Sequence, residues 1–301
     1  MTGGIPVLRP ANLHHGSGPY RDMGILVATL HGIMAEQTDP SWPDKFDAWM
    51  FERDPEVKTL KKEYRAGPFP RWNCWFKDPF LARSLANELE LFLRPSEPSL
   101  VPSSAWLWFV AHSNGAVIAL LAARLLIERG FKITGLILTG AACEADLGRN
   151  GILEWQGRGM LSAAVSFSSG EDEVLGGWAE ARTRGTEKAA SAEPSPEVKP
   201  RETENGRSAL GHLRSWLWGK LIWPYGFLGR TGWLFEGKPF SSSSPQIPTI
   251  RTRWFAGGHS AYFAPQNIER TFELIYQEIK TAVSQLPRSA APPRPGQIET
   301  H

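Results

Sequence analysis

Short, nearly solid apolar runs alternate with segments of helical period along this chain. Ile25 to Leu30, Ala105 to Ala111 and Ile133 to Thr139 are almost continuously apolar and only six or seven residues long. Runs this short and this solid suit strands covered on both faces. Strands are predicted at 24–30, 57–64, 105–111, 133–139, 163–169 and 249–255. Helices are predicted at 79–94, 115–129, 151–161, 209–221 and 266–285. In the last of these, Ile268, Phe272, Ile275, Ile279 and Val283 recur at helical spacing and form one face. The alternation predicts an α/β fold with a mostly parallel central sheet and helices on both faces.

Several stretches break the pattern. Residues 1–23 are rich in Gly and Pro and are read as an irregular N-terminus. The α/β domain is expected over 24–286, with an insertion at 176–245. Within it, 179–208 carries six acidic and six basic residues and almost no large apolar ones. Such a composition buries too little surface to offset its ordering entropy, so this part is expected to be disordered. At 209–227, Trp216, Trp218 and Trp223 fall within eight residues. This segment is read as a helix packed on the sheet, with a lid over an apolar pocket or a weak lipid-surface contact as alternatives. The Pro-rich tail 287–301 is expected to be disordered.

Composition narrows the function classes. The chain has 301 residues, 42% of them hydrophobic, enough for a large core. With 33 basic and 31 acidic residues the formal charge is +2, and nothing suggests nucleic acid as a partner. Cys74 and Cys143 form neither a CxxC motif nor a disulfide framework, consistent with a reducing, cytoplasmic setting. Met1 to Pro6 lacks the basic and apolar regions of a signal peptide. No transmembrane segment is expected: the longest apolar candidate, 105–126, is interrupted by His-Ser-Asn-Gly.

That interruption carries the candidate chemistry. Trp108-Phe109-Val110-Ala111-His112-Ser113-Asn114-Gly115-Ala116-Val117 reads as strand, sharp turn and helix with a hydroxyl at the apex. The N–H of Asn114 then lies beside Ser113 at a helix start, where orphan donors favour developing negative charge. This arrangement suits an acyl-transfer nucleophile. A nucleophilic Ser needs a base, and the base needs an orienting acid. Of seven His, His14, His15 and His301 lie near the ends, His212 sits in the Trp-rich segment, and His112 adjoins the Ser and must point away from it. His259 follows the strand 249–255 on a loop opened by Gly257-Gly258, and is the favoured base. Asp172, after the strand 163–169 and before Val174 and Leu175, is the favoured acid. Glu171, Glu173 and Asp146 are alternatives.

The order Ser113, Asp172, His259 resembles that of the α/β-hydrolases of the esterase and lipase type. The resemblance runs from about Gly24 to Leu286. It rests on His31-Gly32, Ala111-His112-Ser113-Asn114-Gly115, Gly170-Glu171-Asp172 and Gly258-His259-Ser260. It implies that Gly32 or Ile33 supplies a second oxyanion N–H beside that of Asn114, with His31 shaping the loop. It also implies a small-molecule ester substrate with an apolar acyl group, and no metal or organic cofactor. The chain departs from the pattern in two places. Ala111 replaces the usual Gly, and 87 residues separate Asp172 from His259 (259 − 172). A thioesterase or amidase with the same triad, and a hydrolase-like binding scaffold without turnover, are the competing readings.

Overall fold

Six strands lie side by side, all parallel, in a computed structural model that describes residues 24–32, 42–62, 64, 76–94, 106–175, 226–240 and 249–285. In chain order the elements are β1 (Ile25–Leu30), α1 (Trp42–Arg53), β2 (Val57–Lys62), α2 (Asp78–Leu93), β3 (Trp106–His112) and α3 (Gly115–Glu128). Then come β4 (Ile133–Thr139), α4 (Ile152–Gly157), β5 (Leu161–Ser168) and a one-turn α5 (Leu228–Thr231). A small hairpin, β6 (Leu234–Phe235) and β7 (Lys238–Pro239), precedes β8 (Ile250–Trp254) and α6 (Ile268–Gln285). The sheet order is β2-β1-β3-β4-β5-β8. This is the α/β arrangement with a parallel central sheet that the sequence pattern predicts, with β3 near the middle.

Alternation along each strand divides the core in two. Leu107, Phe109 and Ala111 of β3 face one apolar layer with α2, α3 and α4. Trp108 and Val110 face the other, with Phe46 and Met50 of α1 and Phe272, Ile275 and Ile279 of α6. Parallel strands need crossover helices, and helices on both sides bury both faces, which explains the solid apolar runs. Trp108 stands opposite Gly135 in the ladder, and its ring occupies the space a side chain there would fill.

Several elements differ from expectation. The helix expected at 151–161 ends at Gly157, because the chain turns through Gly159 at φ +66° before β5 begins at Leu161. Helix α1 is an addition to the predicted elements. Its buried Trp42, Pro43, Phe46 and Met50 follow helical spacing, but polar residues dilute the signal between them. Within the span expected as an insertion, 226–240 packs against the ends of β4 and β5. The Gly229 N–H donates to the Ala141 carbonyl at 2.8 Å, and the Gly229 carbonyl accepts from the Ser169 N–H at 2.7 Å. On α6 the inner face includes a buried carboxylate, Glu278, paired with Arg251 at 2.7 Å and with Arg253, both on β8. The stretches 1–23, 179–208 and 287–301, the predicted helix 209–221, Cys74, and Trp216, Trp218 and Trp223 lie outside the described residues. Among the described residues no helix is long and apolar enough to cross a membrane.

Helix α3 approaches the sheet closely at Gly115. A Cβ there would meet the His31 carbonyl oxygen at 2.5 Å and the Leu30 carbonyl oxygen at 2.8 Å. Both are backbone atoms with nowhere to move. Gly115→Ala is therefore expected to lower stability by about 1–3 kcal/mol, read as a lower denaturant midpoint at unchanged slope.

Candidate active site

At the C-terminal end of β3 the chain reverses into α3 within two residues. Ser113 takes φ +54°, a left-handed conformation costing about 1–3 kcal/mol for a residue with a side chain. Main-chain hydrogen bonds hold it there. The Ser113 N–H donates to the Thr139 carbonyl at 3.1 Å. The Ser113 carbonyl accepts from the N–H groups of Ala116 (3.2 Å) and Ala142 (3.1 Å). The turn pushes the side chain out of the sheet toward the loop after β1, where Gly32 leaves room for it. A Cβ at Gly32 would lie 2.7 Å from Ser113 Cβ and 3.2 Å from its Oγ.

Two further loops from the same edge of the sheet meet this hydroxyl. After β8, His259 brings its Nε2 to 2.8 Å from Ser113 Oγ. Its Nδ1 lies 2.8 Å from Oδ2 of Asp172, which follows β5. Asp172 is fully buried, and its Oδ1 accepts the Leu175 N–H at 2.9 Å. A carboxylate can only accept, so Nδ1 of His259 carries the proton and Nε2 accepts from the serine hydroxyl. The loop bearing His259 is itself fixed at Gly257, where φ is +106°. The Gly257 N–H donates to Glu171 Oε2 at 2.7 Å, and the Gly257 carbonyl accepts from Ser169 Oγ at 2.6 Å. The loop after β5 thus grips the loop after β8 twice in addition to the carboxylate–imidazole contact.

The remaining sequence candidates fall into place around this core. Asn114 is buried at the start of α3, and among the described residues its N–H has no acceptor. Its side chain donates to Asp78 Oδ1, at the start of α2, at 3.2 Å. Gly32 lies against Ser113, while Ile33 is outside the described residues. His31 stacks on Tyr64 with ring centroids 4.2 Å apart, and the Tyr64 hydroxyl donates to the His31 carbonyl. It shapes the loop and is not the partner of the serine. Of the alternative acids, Glu171 is engaged by Gly257 and Glu173 is exposed. Asp146 caps a turn, accepting from the N–H groups of Gly148 and Arg149. Leu175 is buried as a docking residue, but Val174 is 45% exposed; one apolar side chain suffices to seat the loop. Burial pushes the Cys143 thiol up, which makes it a packing residue rather than a nucleophile.

A neighbour of the serine must face elsewhere, and His112 does; what it faces is the loop bearing His259. Its Nε2 lies 3.1 Å from the His259 carbonyl oxygen, and the two rings are 5.0 Å apart. Sequence reasoning misses this contact. The one signal is position, since a strand residue before the turn points to the side of the sheet where the next loop crosses.

No family model matches the chain, and no curated protein matches it. Solved structures give distant likenesses. The NocB thioesterase domain from the nocardicin cluster is 12% identical, covering 86% of this chain and 95% of that one at a TM-score of 0.38. YbtT, a type II thioesterase from the yersiniabactin pathway, is 17% identical, covering 93% and 98% at a TM-score of 0.34. DcsB, solved with a substrate analogue, is 13% identical, covering 87% and 92% at a TM-score of 0.33. TM-scores this low leave the fold to be defined by the sheet order, and the site by its own hydrogen bonds.

Burial, then the charge of the neighbouring His259, pushes the His112 imidazole down from its usual 6.5 to about 3; the hydrogen bond to the His259 carbonyl and the charge of Asp172 oppose this, and His31 adds to the lowering. Between those values the unfolded chain binds a proton that the folded chain does not. Stability from this residue is therefore complete above about pH 6.5 and falls as pH drops toward 3. Denaturant midpoints measured from pH 8 down to 4 are expected to fall less steeply in His112→Gln than in the wild type. Parallel slopes would remove His112 as the cause.

Proposed function

We propose that this protein is a serine hydrolase that cleaves carboxylic esters through an acyl-enzyme on Ser113. The observation that carries the reading is the unbroken hydrogen-bond path from Ser113 Oγ through His259 to the buried Asp172. Its three members come from positions 113, 172 and 259, each after a different strand of one sheet. A structural serine needs no such path.

In the reaction Ser113 Oγ attacks the ester carbonyl as its proton passes to His259 Nε2. Asp172 keeps the imidazole in the tautomer that can accept and stabilises the imidazolium that forms. Negative charge on the carbonyl oxygen is met by the Asn114 N–H at the start of α3, aided by the partial positive charge of that helix end, with the loop after β1 at Gly32 or Ile33 as the second donor. The imidazolium gives its proton to the leaving alcohol. Water then attacks the acyl-enzyme, with His259 as base again. Thioesters and amides differ in the leaving group and use the same groups.

Wild-type protein is expected to react covalently with a fluorophosphonate probe, and Ser113→Ala to lose that reaction. Hydrolysis of p-nitrophenyl esters should fall by roughly 10⁴-fold or more in Ser113→Ala and in His259→Ala, with melting temperatures close to the wild type. A chain-length series of esters, run beside matched acyl thioesters, identifies the preferred bond and acyl group. Folded wild type that neither labels nor hydrolyses any of these would overturn the reading in favour of a binding scaffold.

A further inference from the structure

The imidazole of His112 sits in a slot whose dimensions are set by missing side chains. A Cβ at Gly32 would come within 3.3 Å of its Nδ1, and one at Gly140 within 3.4 Å of its Nε2. Tyr262 and Phe263 pack beside it, with ring centroids 6.3 Å and 5.4 Å away. His112 is 9% exposed, and burial keeps it neutral, with a value of about 3. A neutral imidazole has one N–H. The nitrogen within reach of the His259 carbonyl, at 3.1 Å, must be the one that carries it, because a carbonyl oxygen only accepts. The ring therefore spans from the loop after β1 to the main chain of the base itself.

We propose that His112 is a positioning residue for His259: by donating Nε2–H to the His259 carbonyl, it sets the distance between the base and Ser113. This inference rests on the serine hydrolase reading. The grip is the third on that loop, and it differs from those of Ser169 and Glu171 at Gly257 because it acts on the base's own peptide group. It also comes from β3, the strand that carries the nucleophile. A displacement of β3 relative to the sheet moves Ser113 and the anchor of His259 together, so their separation is preserved.

The test compares His112→Gln, His112→Asn and His112→Phe. A Gln amide can place an N–H near the position of Nε2; an Asn amide is too short, and a Phe ring has no donor. With melting temperatures measured for each, kcat on an activated ester is expected to fall about 10–100-fold in the Asn and Phe variants with KM little changed. The Gln variant should remain within a few-fold of wild type. Fluorophosphonate labelling rates should follow the same order. The far-downfield proton resonance of the His259–Asp172 contact should persist in the Gln variant and broaden in the Asn variant. If the Phe variant does not fold, the Gln and Asn pair decides. Equal rates in the Gln and Asn variants, both folded, would overturn the proposal. Failure of wild type to label at all would instead overturn the reading beneath it, so the two failures are distinct.

Discussion

The molecule depends on one turn that the backbone resists. Ser113 holds a left-handed conformation between the central strand and the helix that follows, at a cost of about 1–3 kcal/mol. Three main-chain hydrogen bonds, to Thr139 and from Ala116 and Ala142, offset it; each contributes about 1 kcal/mol. The turn brings α3 so near β1 that only hydrogen fits at Gly115, and so near the next loop that only hydrogen fits at Gly32. The hydroxyl is displayed because strand and helix meet at that one strained residue.

Around this fixed point the other two loops are held by one another. The Gly257 peptide is bonded on its N–H side by Glu171 and on its carbonyl side by Ser169, both near the acid in the chain. The acid loop rests on α5 through Ser169 and Gly229, and Arg230 Nη1 donates to the Asp172 carbonyl at 3.2 Å. His259 and Asp172 are therefore positioned by main-chain contacts before their side chains meet. In the proposed reaction such preorganisation matters, since small displacements cost large factors in rate.

Much of the architecture was legible in the sequence because buried parallel strands write solid apolar runs and the helices between them write a 3.6-residue period. All six strands of the main sheet lie within two residues of their predicted ends. Ser113, Asp172 and His259 were legible as candidates because each follows a strand. What escaped depends on partners distant in the chain. A buried charge leaves no mark on an apolar periodicity, and Glu278 has its place on the inner face of α6 because Arg251 and Arg253 of the edge strand come beside it. His112 reads as a bystander until the loop after β8 crosses above it. The long gap between Asp172 and His259 hid α5 and the β6–β7 hairpin, which also bond to Cys143, Ala145 and Asp146, far away in the chain.

The small apolar cluster of Ala142, Leu175, Val117 and Phe227 joins segments far apart in the chain. Leu175 follows Asp172 by three residues and Phe227 precedes α5, so the loop after β5 and that helical turn share one apolar seam. A cavity opened at Leu175 would therefore loosen Phe227 and the loop of Asp172 together, so damage on one side of this seam is felt on the other.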